Sequence, residues 1–154
     1  MEFIKSNIDM IEIEMEIMNS HPEYNLLADG KRLLEREDMI KEHEEEKALN
    51  KERYLVKIDE SFIGIVDFIM ENPRDCKPWL GLFIIHSNWT KKSYAVEALA
   101  KYEQIMKDRN IKEVRLGCFA ANTRGMYFWE KNGYQKVKEM IFKDKALWVM
   151  EKEL

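Results

Sequence analysis

The sequence predicts a single domain of mixed α/β class, and three observations carry that expectation. Apolar residues recur at helical spacing in some stretches and at every second position in others, which calls for helices and strands together. The 154 residues include only six glycines and three prolines, too few to mark an interdomain linker, and no repeat recurs at a period of about 20 to 50 residues. With 45% hydrophobic and 11% aromatic residues, a chain of this length buries one core without disulfide or metal staples.

Glu2 to Lys5 is a candidate short first strand. Residues 8–18 fit two templates: Ile11 to Ile17 alternates like a strand, while Ile8, Ile11, Met15 and Met18 recur at helical spacing. Ser6-x-x-Asp9 resembles a capping box, and Glu and Met favour helix, so a helix is expected. His21-Pro22-Glu23-Tyr24-Asn25 reads as a break, and a second helix runs from about Glu35 to Asn50. Its inner side is expected to carry Leu33, Leu34, Met39 and Ile40, with Glu42-His43-Glu44-Glu45-Glu46-Lys47 as a solvated face rather than a metal site.

From Arg53 the period shifts to two. Tyr54 to Ile58 and Phe62 to Ile69 read as a hairpin turning at Asp59-Glu60-Ser61. The unbroken apolar run Trp79 to Ile85 suits a central strand buried on both faces. Ala95, Leu99, Tyr102 and Met106 mark a helix ending near Asn110. Glu113 to Cys118 alternates as a strand, and Asn122 to Asn132 is a short helix closed by Gly133. Tyr134 to Met140 and Ala146 to Met150 complete the pattern, the last serving equally well as a core strand or a dimer edge.

Composition narrows the function. Twenty-five Lys and Arg against 29 Asp and Glu give a net charge of −4, and no basic run offers a footprint for a phosphate backbone, so nucleic acid is not an expected partner. No apolar stretch approaches the roughly 18 residues of a membrane span, and Met1-Glu2-Phe3-Ile4-Lys5 lacks the features of a signal peptide, so a cytoplasmic protein without membrane contact is expected. Cys76 and Cys118 have no CxxC spacing, His21, His43 and His86 are scattered, and no metal is expected. Cys118, inside an apolar alternation, reads as a core residue.

Two stretches resemble a known family. Asn122-Thr123-Arg124-Gly125-Met126-Tyr127-Phe128-Trp129-Glu130-Lys131-Asn132-Gly133-Tyr134 is similar to motif B of the GNAT N-acetyltransferases, Asn-x-x-Ala-x-x-Leu/Phe-Tyr/Trp-x-x-x-Gly-Phe/Tyr. Ile85 to Leu99 resembles motif A, a strand leading through Arg/Gln-x-x-Gly-x-Gly/Ala into a helix. Here Thr90 stands at the Arg/Gln position, Ser93 at the first Gly, and Ala95 satisfies the last. The resemblance covers residues 53–150 well and 1–50 loosely. It implies a mixed, mostly antiparallel sheet of about six or seven strands flanked by about four helices, and acetyl-CoA as co-substrate.

The same resemblance implies site residues. Phe83, Ile84 and Ile85 would pair through their backbone with the pantetheine arm. Thr90, Lys91, Lys92, Ser93, Tyr94, Ala95 and Val96 would meet the pyrophosphate, where a helix N-terminus offers unpaired N–H groups and a positive dipole end. Asn122 would hydrogen-bond the pantetheine, and Phe128 and Trp129 would line the thioester end. A small-molecule or peptide amine, acetylated directly in a ternary complex, is the implied acceptor. Glu23, Tyr24, Glu71 and Trp79 are candidates to meet it by location, and the protein would be a monomer or homodimer.

Amine attack on a thioester needs a deprotonated amine, of parent pKa about 10, and benefits from a proton for a thiolate of parent pKa about 8.5. The family's usual Tyr is Trp129 here, whose indole N–H donates a hydrogen bond but does not transfer a proton. Tyr127, two residues earlier, points roughly 200° away on the helix and is a weaker candidate acid. Asp67 interrupts the apolar run Phe62 to Met70, which a charge does at a cost unless it is paired or faces a cleft, and is the candidate base ahead of His86. The altered motif A glycine and the missing Tyr also support a second reading, a degenerate acyl-CoA-binding or sensor module.

Overall fold

The structure, a computed structural model, describes residues 1–90 and 93–154. Seven strands form one sheet: β1 (Glu2–Lys5), β2 (Glu52–Ile58), β3 (Ser61–Ile69), β4 (Trp79–Ile85), β5 (Glu113–Phe119), β6 (Gln135–Phe142) and β7 (Lys145–Glu153). Their spatial order is β1-β2-β3-β4-β5-β7-β6. The pairs β1–β2, β2–β3, β5–β7 and β6–β7 are antiparallel, and β4–β5 is parallel. Among the described residues five α-helices accompany them: α1 (Ile11–Asn19), α2 (Pro22–Asp29), α3 (Arg36–Leu49), α4 (Tyr94–Asp108) and α5 (Thr123–Lys131). The mixed, mostly antiparallel architecture expected from the sequence is what the chain adopts.

By contact density the chain divides into two compact units, Met1–Ile69 with Leu82–Leu99, and Met70–Gly81 with Ala100–Leu154. In the first, Ile11, Ile17 and Met18 of α1 pack with Leu34, Met39, Leu55, Ile65 and Ile84 in one apolar cluster. The helical reading of residues 8–18 therefore holds, but its start differs: Asn7 accepts from the Asp9 N–H, and Ser6 instead donates to Glu14. The break read at His21 to Asn25 is in fact the first turn of α2. Pro22 stands at its N-terminus, where a missing N–H is harmless and φ is already helical, and Gly30 (φ 78°) closes it. Asn25 is fully buried and its amide donates to the carbonyls of Met18 and Arg32.

The β2–β3 hairpin carries a register shift: Val56 pairs with Gly64 and Lys57 with Phe62, skipping Ile63. The Ile63 carbonyl accepts from the His86 N–H at 2.7 Å. Gly64 has no room for a side chain, because a Cβ there would lie 2.7 Å from the Ile84 carbonyl oxygen and 2.7 Å from Ile85 Cδ1. β4 departs from the expectation of a strand buried on both faces. Its register with β5 pairs Trp79 with Arg115 and Leu80 with Leu116, at the strand's start; Gly81 is exposed, and Leu82 and Phe83 are half-buried.

In the second unit, β7 lies between β5 and β6, so Trp148, Val149 and Met150 belong to an interior strand and not to a dimer edge. β6 ends the sheet order, is exposed along nearly its whole length, and has a register shift between Lys136 and Lys138. Cys118 is buried as read from the sequence, and burial pushes its thiol up to about 11. Among the described residues no helix is long and apolar enough to cross a membrane.

Candidate active site

The segment from β4 into α4 begins with a pinned turn. After Ile85 the chain makes a 3₁₀ turn over Ser87–Trp89, in which the His86 Nδ1 accepts from the Asn88 N–H at 3.1 Å and the Thr90 hydroxyl donates to the Ser87 carbonyl at 3.1 Å. His86 is thus occupied in shaping the turn. α4 opens at Tyr94, with the Ser93 carbonyl accepting from the Glu97 N–H, and both Ser93 and Val96 are exposed. α4 is 15 residues long, and the N-terminus of a helix of that length carries a positive dipole end that suits an anion. Lys91 and Lys92 lie outside the described residues.

The same unit holds a charge cluster that the sequence did not announce. Arg53 on β2 is 4% exposed and meets four carboxylates: Glu14 on α1 at 2.9 Å, Glu42 on α3 at 3.0 Å, Glu46 on α3 at 2.6 Å and Asp67 on β3 at 3.0 Å. His43 Nε2 is 2.9 Å from Glu14. The acidic run Glu42 to Lys47 is therefore not a uniformly solvated face. Glu44, Glu45 and Lys47 are exposed, but Glu46 is buried and Glu42 and His43 are half-buried, because Arg53 on the neighbouring strand draws that side of α3 inward. Leu33, expected inside, is exposed, while Leu34 and Met39 are buried.

Burial pushes the Glu42 and Glu46 carboxyls up, Glu46 to about 8, against the pull of Arg53. Glu46 thus stays protonated in the folded chain across a range where the unfolded chain, near its ordinary 4.5, has released the proton. Stability from this group is full below the unfolded value and is lost as pH rises towards 8. Glu46→Gln keeps an oxygen beside Arg53 and removes that loss. Urea unfolding at about pH 5 and pH 8 is expected to show the variant gaining about 1–2 kcal/mol over wild type at the higher pH and little at the lower.

In the second unit, Asn122 caps α5: its Oδ1 accepts from the Gly125 N–H at 3.0 Å. That leaves the carboxamide NH2 as the half available to donate to a ligand. The match between Asn122 and Gly125 is close, since a Cβ on Gly125 would lie 2.5 Å from Asn122 Nδ2 and 3.1 Å from Cys118 Sγ. Trp129 is buried, edge-on to Phe128 (5.0 Å) and to Tyr134 (5.2 Å). Tyr134 donates to Glu103 at 3.0 Å, and burial together with the Glu103 charge pushes its phenol up. Tyr127 is 69% exposed with Lys131 over its ring.

A family model described as the acetyltransferase (GNAT) family matches residues 14–134. The chain belongs to the GNAT acetyltransferase family. Solved structures share its fold at low identity. An acetyltransferase from Thermus thermophilus is 13% identical with a TM-score of 0.83, over 99% of this chain and 96% of that one. The PaiA N-acetyltransferase from Thermoplasma acidophilum, in complex with coenzyme A, is 24% identical with a TM-score of 0.71, over 99% and 98%. A ribosomal-protein-alanine N-acetyltransferase from Brucella melitensis is 15% identical with a TM-score of 0.74, over the whole of both chains. No curated protein matches the chain in sequence.

The residues expected from the sequence to meet the coenzyme fall on β4, on the 3₁₀ turn that follows it and on the start of α4. Phe83, Ile84 and Ile85 are on β4, although the Ile85 carbonyl already accepts from His21 Nε2 at 2.6 Å. Thr90 ends the turn, and Tyr94, Ala95 and Val96 form the first turn of α4. Asp67 is 3% exposed and holds Arg53 through Oδ2, while Oδ1 has no hydrogen-bond partner among the described residues. Among the loosely placed acceptor candidates, Glu23 pairs with Arg32, and the Trp79 indole donates to Asp75 at 2.9 Å. Among the described residues no cluster of His, Cys, Asp or Glu has the arrangement of a metal site.

Proposed function

We propose that this GNAT protein transfers an acetyl group from acetyl-CoA to a primary amine of a small molecule or peptide, by direct attack within a ternary complex. The observation that carries the reading is the order of a strand with a half-buried stretch, β4, a 3₁₀ turn over Ser87–Trp89 and a helix opening at Tyr94, inside the stretch that matches the family. Neighbours of the same fold solved with coenzyme A or acetyl-CoA support the choice of co-substrate. Spermidine N-acetyltransferase chimeras and the ribosomal-protein-alanine N-acetyltransferase support an amine acceptor.

In this reading the backbone of Phe83, Ile84 and Ile85 holds the pantetheine. Thr90, Lys91, Lys92, Ser93, Tyr94, Ala95 and Val96 meet the diphosphate, the helix N-terminus favouring its charge. Asn122 donates its amide to the pantetheine, and Phe128 and Trp129 line the thioester end. The acetyl-CoA supplies an activated carbonyl; the amine nitrogen bonds to it, the tetrahedral oxyanion collapses, and the coenzyme thiolate leaves. Asp67 is the base candidate of this proposal. Tyr127, standing well out in solvent, is the acid candidate, and the thiolate otherwise leaves with hydrogen-bond or water assistance.

A second reading, an acyl-CoA-binding module without efficient catalysis, is favoured by Trp129, a non-acid at the family's Tyr position that packs against Phe128 and Tyr134. Thiol release from acetyl-CoA across a panel of amines, with thermal melts in parallel, separates the two. Thiol release supports the enzyme, whereas stabilisation without release supports the module. An unchanged Tm at millimolar acetyl-CoA overturns both, because a ligand specific for the folded state raises Tm by mass action. An Asp67→Asn variant whose rate is unchanged across pH removes Asp67 from the mechanism.

Asn122 allows its two roles to be separated. Asn122→Ala is expected to lose about 1 kcal/mol with the helix cap. Asn122→Asp keeps the capping oxygen, and hence the stability, but loses the NH2 donor. Weaker acetyl-CoA binding in a fully stable Asn122→Asp variant, read by calorimetry, is the expected outcome.

A further inference from the structure

Two side chains at the corner between α1 and α2 reach across more than sixty residues of sequence to the end of β4. His21 Nε2 lies 2.6 Å from the Ile85 carbonyl oxygen, a distance that requires this nitrogen to carry the proton and donate. The neighbouring Ser20 hydroxyl accepts from the Ser87 N–H at 3.0 Å while donating to the Ile17 carbonyl at 2.7 Å. The last carbonyl of β4 and the first N–H of the 3₁₀ turn are thereby both held from the α1–α2 corner. On the other side, the intervening His86 N–H is held by the Ile63 carbonyl. Three consecutive residues, Ile85, His86 and Ser87, are thus fixed by partners remote in sequence.

We infer that His21, assisted by Ser20, is a positioning residue for the coenzyme: it sets where β4 ends and the turn towards α4 begins. The inference rests on the proposed acetyl-CoA reading and adds to it a residue outside both coenzyme motifs. The turn from Ser87 to Thr90 is half-buried at most and has little apolar burial to hold it. Its geometry therefore depends on directional bonds, and His21 and Ser20 supply two of them. α1 is itself anchored, through Glu14, to Arg53. The corner consequently acts as a fixed post against which the end of β4 and the start of the turn are set, and binding does not have to place those residues anew.

The test uses His21→Ala, His21→Gln and Ser20→Ala in the full chain, with calorimetric acetyl-CoA binding, steady-state kinetics and amide hydrogen exchange. His21→Ala is expected to weaken acetyl-CoA binding about tenfold, with KM for acetyl-CoA rising in step and kcat within about twofold of wild type. Gln places an N–H donor close to the position of Nε2, so His21→Gln is expected to restore most of the affinity, which a merely space-filling role would not produce. Ser20→Ala is expected to speed exchange at the Ser87 amide with Tm nearly unchanged, and covers the case in which His21→Ala does not fold. Affinity within about twofold of wild type in both alanine variants overturns the inference, as does a His21→Gln variant no better than alanine. If wild type itself fails to bind acetyl-CoA, the proposed function falls. The positioning role is then judged by exchange at Ser87 and Trp89, where no change in either alanine variant overturns it.

Discussion

Replacing Arg53 by methionine is expected to cost about 3–5 kcal/mol of folding stability at neutral pH, a large share of what a domain of this size possesses. The side chain is 4% exposed and is the guanidinium shared by Glu14, Glu42, Glu46 and Asp67. Methionine fills much of the volume but leaves buried carboxylates facing one another without a cation, and an uncompensated buried charge is the costly case. The deficit is expected to shrink on acidification, because the carboxylates left without their cation, Glu42 among them already pushed up by burial, take up protons. Urea unfolding at about pH 7 and pH 5 checks both points. A loss below about 1 kcal/mol at neutral pH would show that the cluster is not held by its arginine.

Gly64→Ala is expected to damage the coenzyme segment directly. A Cβ at this position meets the Ile84 carbonyl oxygen and Ile85 Cδ1, both at 2.7 Å, and the first of these is backbone that cannot step aside without moving β4. Overpacking of this kind costs about 1–3 kcal/mol, and the displaced strand is one whose backbone is proposed to hold the pantetheine. Acetyl-CoA affinity, measured on the folded fraction, is expected to fall by about tenfold or more. Gly117→Ala provides the contrast. There the added methyl comes within 2.8 Å of Leu147 Cδ2, the tip of a flexible side chain that can rotate away, so a cost of about 1 kcal/mol or less is expected. Equal losses in the two variants would mean that the backbone obstacle at Ile84 has no special weight.

The parts of the fold that could be read from the sequence are those where periodicity and turn chemistry agree. The hairpin around Asp59-Glu60-Ser61 is an example: a two-residue period on both sides marked two strands joined by a tight turn, although not the register shift that skips Ile63. α2 was missed because Pro22 is ambiguous. It ends a helix that precedes it and starts one that follows, and the choice depends on the fully buried Asn25, whose partners at Met18 and Arg32 cannot be seen in a linear reading. The acidic run on α3 shows the same limit. Six polar residues in a row look solvated until Arg53, on another element, is placed opposite them. Asp67 did signal itself, since a charge in an apolar strand needs a partner, but the sequence could not say that the partner is an arginine. Motif B was legible because its residues are close in sequence, whereas the Ser20–His21 corner serves β4 from far away and leaves no local pattern.

The irregular step in β6 has a consequence for the protein in concentrated solution. A sheet's last strand offers a row of unclaimed amides and carbonyls that an incoming chain can template upon, the first move towards insoluble stacks. Here the ladder slips at Val137, and Lys136 and Lys138 flank the slip, so an approaching strand meets both a broken repeat and like charges. Both features work against growth of the rim by addition of further copies.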